Sequence, residues 1–106
     1  MPDVERINLH FTDDADRLCA WETDDLQIMR IRMPVGEVLP HHNSNANSVL
    51  LPMVGTIKVV TPAGEEVIGA GEAVFVSFDT PMDVSNAGDE PALLLVLKAP
   101  HPKAFQ

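Results

Sequence analysis

Gly36-Glu37-Val38-Leu39-Pro40-His41-His42-Asn43-Ser44-Asn45-Ala46-Asn47-Ser48-Val49-Leu50-Leu51-Pro52-Met53-Val54-Gly55 is the stretch whose reading decides the fold. Pro34-Val35-Gly36-Glu37 is a turn that ends whatever precedes it. Two histidines and three asparagines follow within seven residues, and Asn favours irregular loops and rims. Ser48 to Val54 is then a nearly continuous apolar run, as in a strand covered on both faces. Pro52 removes a backbone donor from that run, which places it on an edge or at a bulge. Gly55 closes the stretch.

Working outward, the chain reads as short strands between Gly, Pro and Asn punctuation. On the N-terminal side, Leu26 to Met33 alternates, with Met29, Ile31 and Met33 on one face and Arg30 and Arg32 on the other. Arg6 to Phe11 alternates as well, which predicts a further strand. Thr12 to Leu18 predicts one helical turn capped by Thr12 or Asp13. On the C-terminal side, Thr56 to Val60, Val67-Ile68, Ala73 to Phe78, Met82 to Val84 and Ala92 to Lys98 read as strands. Pro62-Ala63-Gly64-Glu65, Gly69-Ala70-Gly71, Thr80-Pro81 and Asn86 to Pro91 separate them. Eight or nine short strands at this spacing predict an all-β sandwich or barrel.

Composition bounds the function. The chain has 106 residues, 45% hydrophobic and 22% charged, which suits one small globular domain rather than a disordered chain. Seven Lys and Arg against sixteen Asp and Glu give a net charge of −9. That balance offers no basic footprint for nucleic acid or anionic membrane. No apolar run is long enough to span a bilayer. The acidic first residues precede no apolar signal segment, and Cys19 has no disulfide partner, so the expected location is cytoplasmic. Cys19 itself is expected to be a half-buried small residue. The acidic residues from Asp13 to Asp25 predict a solvated loop.

The spacing of the punctuation resembles the cupin family, small double-stranded β-helix or jelly-roll barrels. The first cupin motif runs Gly, five residues, His, one residue, His, three or four residues, Glu, six residues, Gly. Here Gly36, His42 and Gly55 fall on it, and Pro40 sits two before His42. The second motif places a Gly, a Pro, a Gly, a His and an Asn at set intervals. Gly71, Thr80-Pro81 and Asn86 fall in register, with fifteen residues between Gly55 and Gly71. The resemblance implies an RmlC-like barrel over 1–106. Its motif-bearing core spans 34–98, preceded by an N-terminal strand and acidic loop (1–33) and followed by a tail (99–106).

The chemistry-bearing positions are mostly changed. Ser44 stands for the second His, Ser48 for the Glu, Met82 for the third His, and Ser77 and Asp79 for the second motif's Pro and Gly. Of the four residues that hold a metal in a typical cupin, only His42 is kept. Serine hydroxyls are poor ligands for zinc or iron, and a thioether suits copper(I). A divalent transition metal, with His42 as its retained ligand, is therefore disfavoured. A register starting at His41 would bring Asn43 and Asn47 to ligand positions, without carboxylate charge. With His42 in register, strand parity turns His42, Ser44 and Ser48 inward, and His41, Asn43, Asn45 and Asn47 outward.

The remaining predicted interior is Met29, Ile31, Met33, Ile57, Val59, Met82 and Phe75. Three functional readings follow. The first is a small-molecule pocket built from His42, Ser44, Ser48 and Met82 without the usual metal. The second is a metal-dependent cupin enzyme, isomerase- or dioxygenase-like, with a non-standard site at His42. The third is an interaction module with a filled barrel. If there is catalysis, His42 is its candidate residue, with Asp79 and Asp83 as carboxylate partners whose parity is unfavourable. The resemblance also implies a homodimer. His10, His101 and Trp21 lie outside the motifs; the two histidines are expected on the surface, and Trp21 in packing.

Overall fold

The computed structural model describes residues 3–10 and 16–106. Nine strands occur among the described residues: β1 Arg17–Glu22, β2 Gln27–Met33, β3 His42–Asn43, β4 Ser48–Val54, β5 Thr56–Thr61, β6 Gly64–Gly69, β7 Val74–Val76, β8 Pro81–Asn86 and β9 Ala92–Lys98. They pair antiparallel in two sheets, β1-β2-β9-β4-β7 and β3-β8-β5-β6. The all-β architecture expected from the sequence is present.

Side chains from both sheets form the core, among them Met33, Leu50, Ile57, Val59, Val84 and Leu94. The central strand β9 lies between β2 and β4 and is buried on both faces. That is why Leu93-Leu94-Leu95 shows no polar alternation. Pro52 sits at a register shift against β9, so the ladder tolerates its missing donor as a bulge.

Two motif positions explain themselves. Gly55 has φ +83°, and a Cβ there would lie 2.9 Å from Ala92 Cα, so only glycine fits. The Asn86 side chain donates to the carbonyls of Met33 and Glu90 at 2.9 Å and accepts from the Gly88 N–H at 2.8 Å. It ties the turn after β8 to the end of β2, so this motif asparagine holds the fold.

Several expectations are corrected. Residues 6–10 form no strand; the Asn8 side chain accepts the His10 N–H at 3.0 Å, a local turn that competes with a ladder. The helical turn placed at Thr12 to Leu18 falls partly outside the described residues, and Arg17 and Leu18 belong to β1, paired with Ile31 and Arg30. β1 is an edge strand, mostly exposed and bulged between Cys19 and Trp21, so its sequence carries no alternation. Cys19 is exposed for the same reason. Pro81 opens β8 rather than breaking a strand, a position that needs no ladder donor. Phe75 is 64% exposed: its neighbours Val74 and Val76 pack on the core, so strand parity turns Phe75 away from it.

The tail is docked by side chains. A 3₁₀ helix, Pro102–Phe105, is capped by His101, whose Nδ1 accepts the Lys103 N–H at 3.1 Å. His101 Nε2 lies 2.7 Å from Glu22 Oε2, Lys103 pairs with Asp24, and Phe105 stacks on Phe78 with ring centroids 4.4 Å apart. His101 is thus half-buried rather than a surface residue. Part of the acidic loop serves as the tail's dock. Trp21 is half-buried, and its indole N–H donates to Glu5.

Candidate ligand site

A cavity of about 100 Å³ lies between the sheets. Its apolar wall comes from inward residues of four strands: Met29 and Ile31 of β2, Leu50 of β4, Val84 of β8, and Leu94 and Val96 of β9. His42, Ser44, Ser48 and Met82 also line it, so the four residues singled out from the sequence come together. His42 on β3 stands opposite Met82 on β8 in the ladder.

The polar groups are partly spoken for. His42 Nδ1 is 3.0 Å from the Pro40 carbonyl, which can only accept, so Nδ1 carries the proton and Nε2 is left for a ligand. Ser44 and Ser48 are buried, with their hydroxyl oxygens 3.1 Å apart, and both donate to the Ala46 carbonyl. Each hydroxyl has one proton, so both protons are already committed within the 44–48 loop.

The asparagine run splits its roles. Asn43 donates to Asp79 Oδ1 at 3.0 Å, and the Asn47 side chain accepts the Phe78 N–H at 3.0 Å. These contacts tie the loop after β3 to the loop before β8. Contrary to the parity expectation, Asn43 and Asn45 border the cavity, because only His42–Asn43 is strand and the chain then turns. His41 does point away, 2.9 Å from Asp83 Oδ1. Neither Asp83 nor Asp79 is therefore placed to form a dyad with His42.

The donor set does not fit a tightly held transition metal. Two of the family's ligand positions are serines bonded to the chain's own carbonyl, and a third is a thioether. Among the described residues no group of three His, Cys, Asp or Glu side chains could hold an ion.

Two charged lining residues escaped the sequence reading. Lys98 ends β9 opposite Ser48 and is only 8% exposed. Burial, and secondarily the Arg17 guanidinium, hold its amine below the ordinary lysine range. Arg17 lines the cavity from β1, opposite Ile31. Lys98 was legible as the single charge in register with Leu94 and Val96; Arg17 lies in a segment without pattern.

No family model matches the chain. The uncharacterised protein MJ0764 of Methanocaldococcus jannaschii is 33% identical over 82 residues, covering 76% of this chain and 71% of that protein. Its crystal structure is described as an RmlC-like cupin with a double-stranded β-helix fold. The chain belongs to the RmlC-like cupin family. Superposed on that structure, this cupin gives a TM-score of 0.81 at 27% identity, covering 99% of this chain and 98% of the other. The cupin domain of Schizosaccharomyces pombe Cnp3 shares the fold at a TM-score of 0.78 and 17% identity, over 92% of this chain and 70% of that one. Among the described residues, no helix is long and apolar enough to cross a membrane.

Proposed function

We propose that this cupin binds a small molecule in the barrel, at the cavity bordered by His42, Ser44, Ser48 and Met82, without a tightly held metal. The observation that carries the reading is the cavity itself: apolar walls with a few convergent polar groups, the usual make-up of a ligand site. The filled-barrel alternative expects no such space at His42. A metal enzyme at the same place would need ligands that the two serines and Met82 do not supply. The reading takes the protein as a cytoplasmic homodimer, supported by the lone Cys19 and by the family's habit of pairing.

The test is an amide-resonance titration with butanamide, beside elemental analysis of protein purified without chelator. Shifts confined to the cavity lining and weakened by His42→Ala are expected, with a metal-to-protein ratio near zero. Shifts elsewhere, or undiminished in His42→Ala, overturn the site. A ratio near one for a transition metal overturns the metal-free reading.

A further inference from the structure

We propose that Lys98 and Arg17 make this cavity a site for a short-chain carboxylate, with the carboxylate on the two cations and the aliphatic end on the apolar wall. This rests on the reading of the cavity as a ligand site and adds the ligand's chemical class.

The charge distribution is the first observation. The chain carries sixteen acidic residues against seven Lys and Arg. Yet the described residues lining this cavity include Arg17, Lys98 and His42 and no Asp or Glu. A ligand entering there meets only positive or neutral groups.

Lys98 supplies the second. It is more than nine-tenths buried, and its ladder partner Ser48 and strand neighbour Val96 also line the cavity. Among the described residues no carboxylate lies within ion-pair distance of its amine. A buried cation without a counter-charge is costly, and a second cation beside it adds repulsion. An anion in the cavity offsets both the burial and the Arg17 repulsion that lower the affinity of Lys98 for its proton.

Volume and wall chemistry narrow the anion. The space of about 100 Å³, partly open to solvent, is smaller than the ~150 Å³ cavities that accept benzene, and it suits a short chain whose charged end stays near the mouth. Phosphate or sulfate would satisfy the cations but set charged oxygens against Met29, Ile31, Leu94 and Val96. A carboxylate with a short alkyl chain satisfies both ends.

The experiment is calorimetric titration of the whole protein with acetate, propionate, butyrate, butanamide and inorganic phosphate, repeated on Lys98→Met and Arg17→Gln. Arg17 is exposed on an edge strand, so its variant keeps the fold should Lys98→Met not. Expected is that butyrate binds at least tenfold tighter than butanamide and than phosphate, and that either variant erases the preference over butanamide. Butanamide binding as tightly as butyrate, or a preference surviving in the variants, overturns the carboxylate assignment and leaves the cavity as a neutral-ligand site. Phosphate binding as tightly as butyrate overturns it in favour of an inorganic anion. No binding by any of the probes overturns the underlying ligand-site reading as well.

Discussion

Ser48 of β4 and Lys98 of β9 are direct partners in the antiparallel ladder, and both are buried at the inner face of the barrel. A hydroxyl already committed to the Ala46 carbonyl thus stands beside an ammonium with no counter-ion among the described residues. In this barrel the position that holds a metal-binding carboxylate in typical cupins faces a cation.

Replacing that cation should stabilise the empty protein. Lys98→Met removes a buried charge while keeping the chain's bulk, and should raise unfolding free energy by about 1 kcal/mol at neutral pH. The pH dependence follows from its lowered pKa. Between the folded and unfolded values the unfolded state holds more protons, so native stability should rise as pH climbs through that window. Urea unfolding at neutral and alkaline pH checks both. The variant should lack the Lys98 contribution to the slope, and an unchanged slope would contradict the account.

The C-terminal dock should release in acid. The His101 and Gln27 hydrogen bonds hold the Glu22 carboxyl below its ordinary range, and Lys103 does the same for Asp24. A depressed carboxylate contributes stability above its unfolded pKa and loses it as pH falls through the folded one. The Phe78–Phe105 ring-current shifts should collapse at acidic pH while β9 amides stay protected. Shifts that persist after both carboxylates are protonated would show that the rings alone hold the tail.

Asp79 has φ +64°, in the left-handed region, at the position where the cupin motif has glycine. The backbone demand persists although the residue has changed; Asp tolerates it, and its side chain takes a hydrogen bond from Asn43. Asp79→Ala should cost about 1 kcal/mol, since it loses the bond and keeps the strain. Asp79→Gly should be less costly than Asp79→Ala, because it relieves the strain. Thermal unfolding of the two variants side by side tests the order.

Gly55 and Gly36 separate conformation from space. Both have positive φ, but a Cβ on Gly36 meets nothing within 4 Å, whereas one on Gly55 overlaps the backbone of Ala92. Gly36→Ala should cost about 1 kcal/mol, the left-handed penalty alone. Gly55→Ala should cost about 3 kcal/mol or more. Equal midpoints in denaturant would refute the packing argument.

The fold was readable because its decisive residues act locally. Gly36, Gly55, Gly71 and Asn86 mark turns whose spacing is set by strand length, and β2, β4 and β9 carry patterns imposed by a buried face. β1 was not readable, because an exposed edge strand selects no alternation. The alternation at Arg6 to Phe11 misled, because the Asn8 side chain turns the backbone there. Part of the site was legible too: His42, Ser44, Ser48 and Met82 sit at motif positions.

By itself, then, the sequence determined an all-β barrel with cupin punctuation, and it set the expectation that the usual metal ligands are replaced. Both follow from residue identity at fixed spacing, which local backbone sterics and ligand chemistry translate directly. Only the tertiary structure decided that Arg17, Lys98 and His42 share one cavity, and that Glu22 and Asp24 dock His101 and Lys103. Those neighbours lie 25 to 81 positions apart in the chain. Ladder register and sheet order bring them together, and neither is written in any one segment.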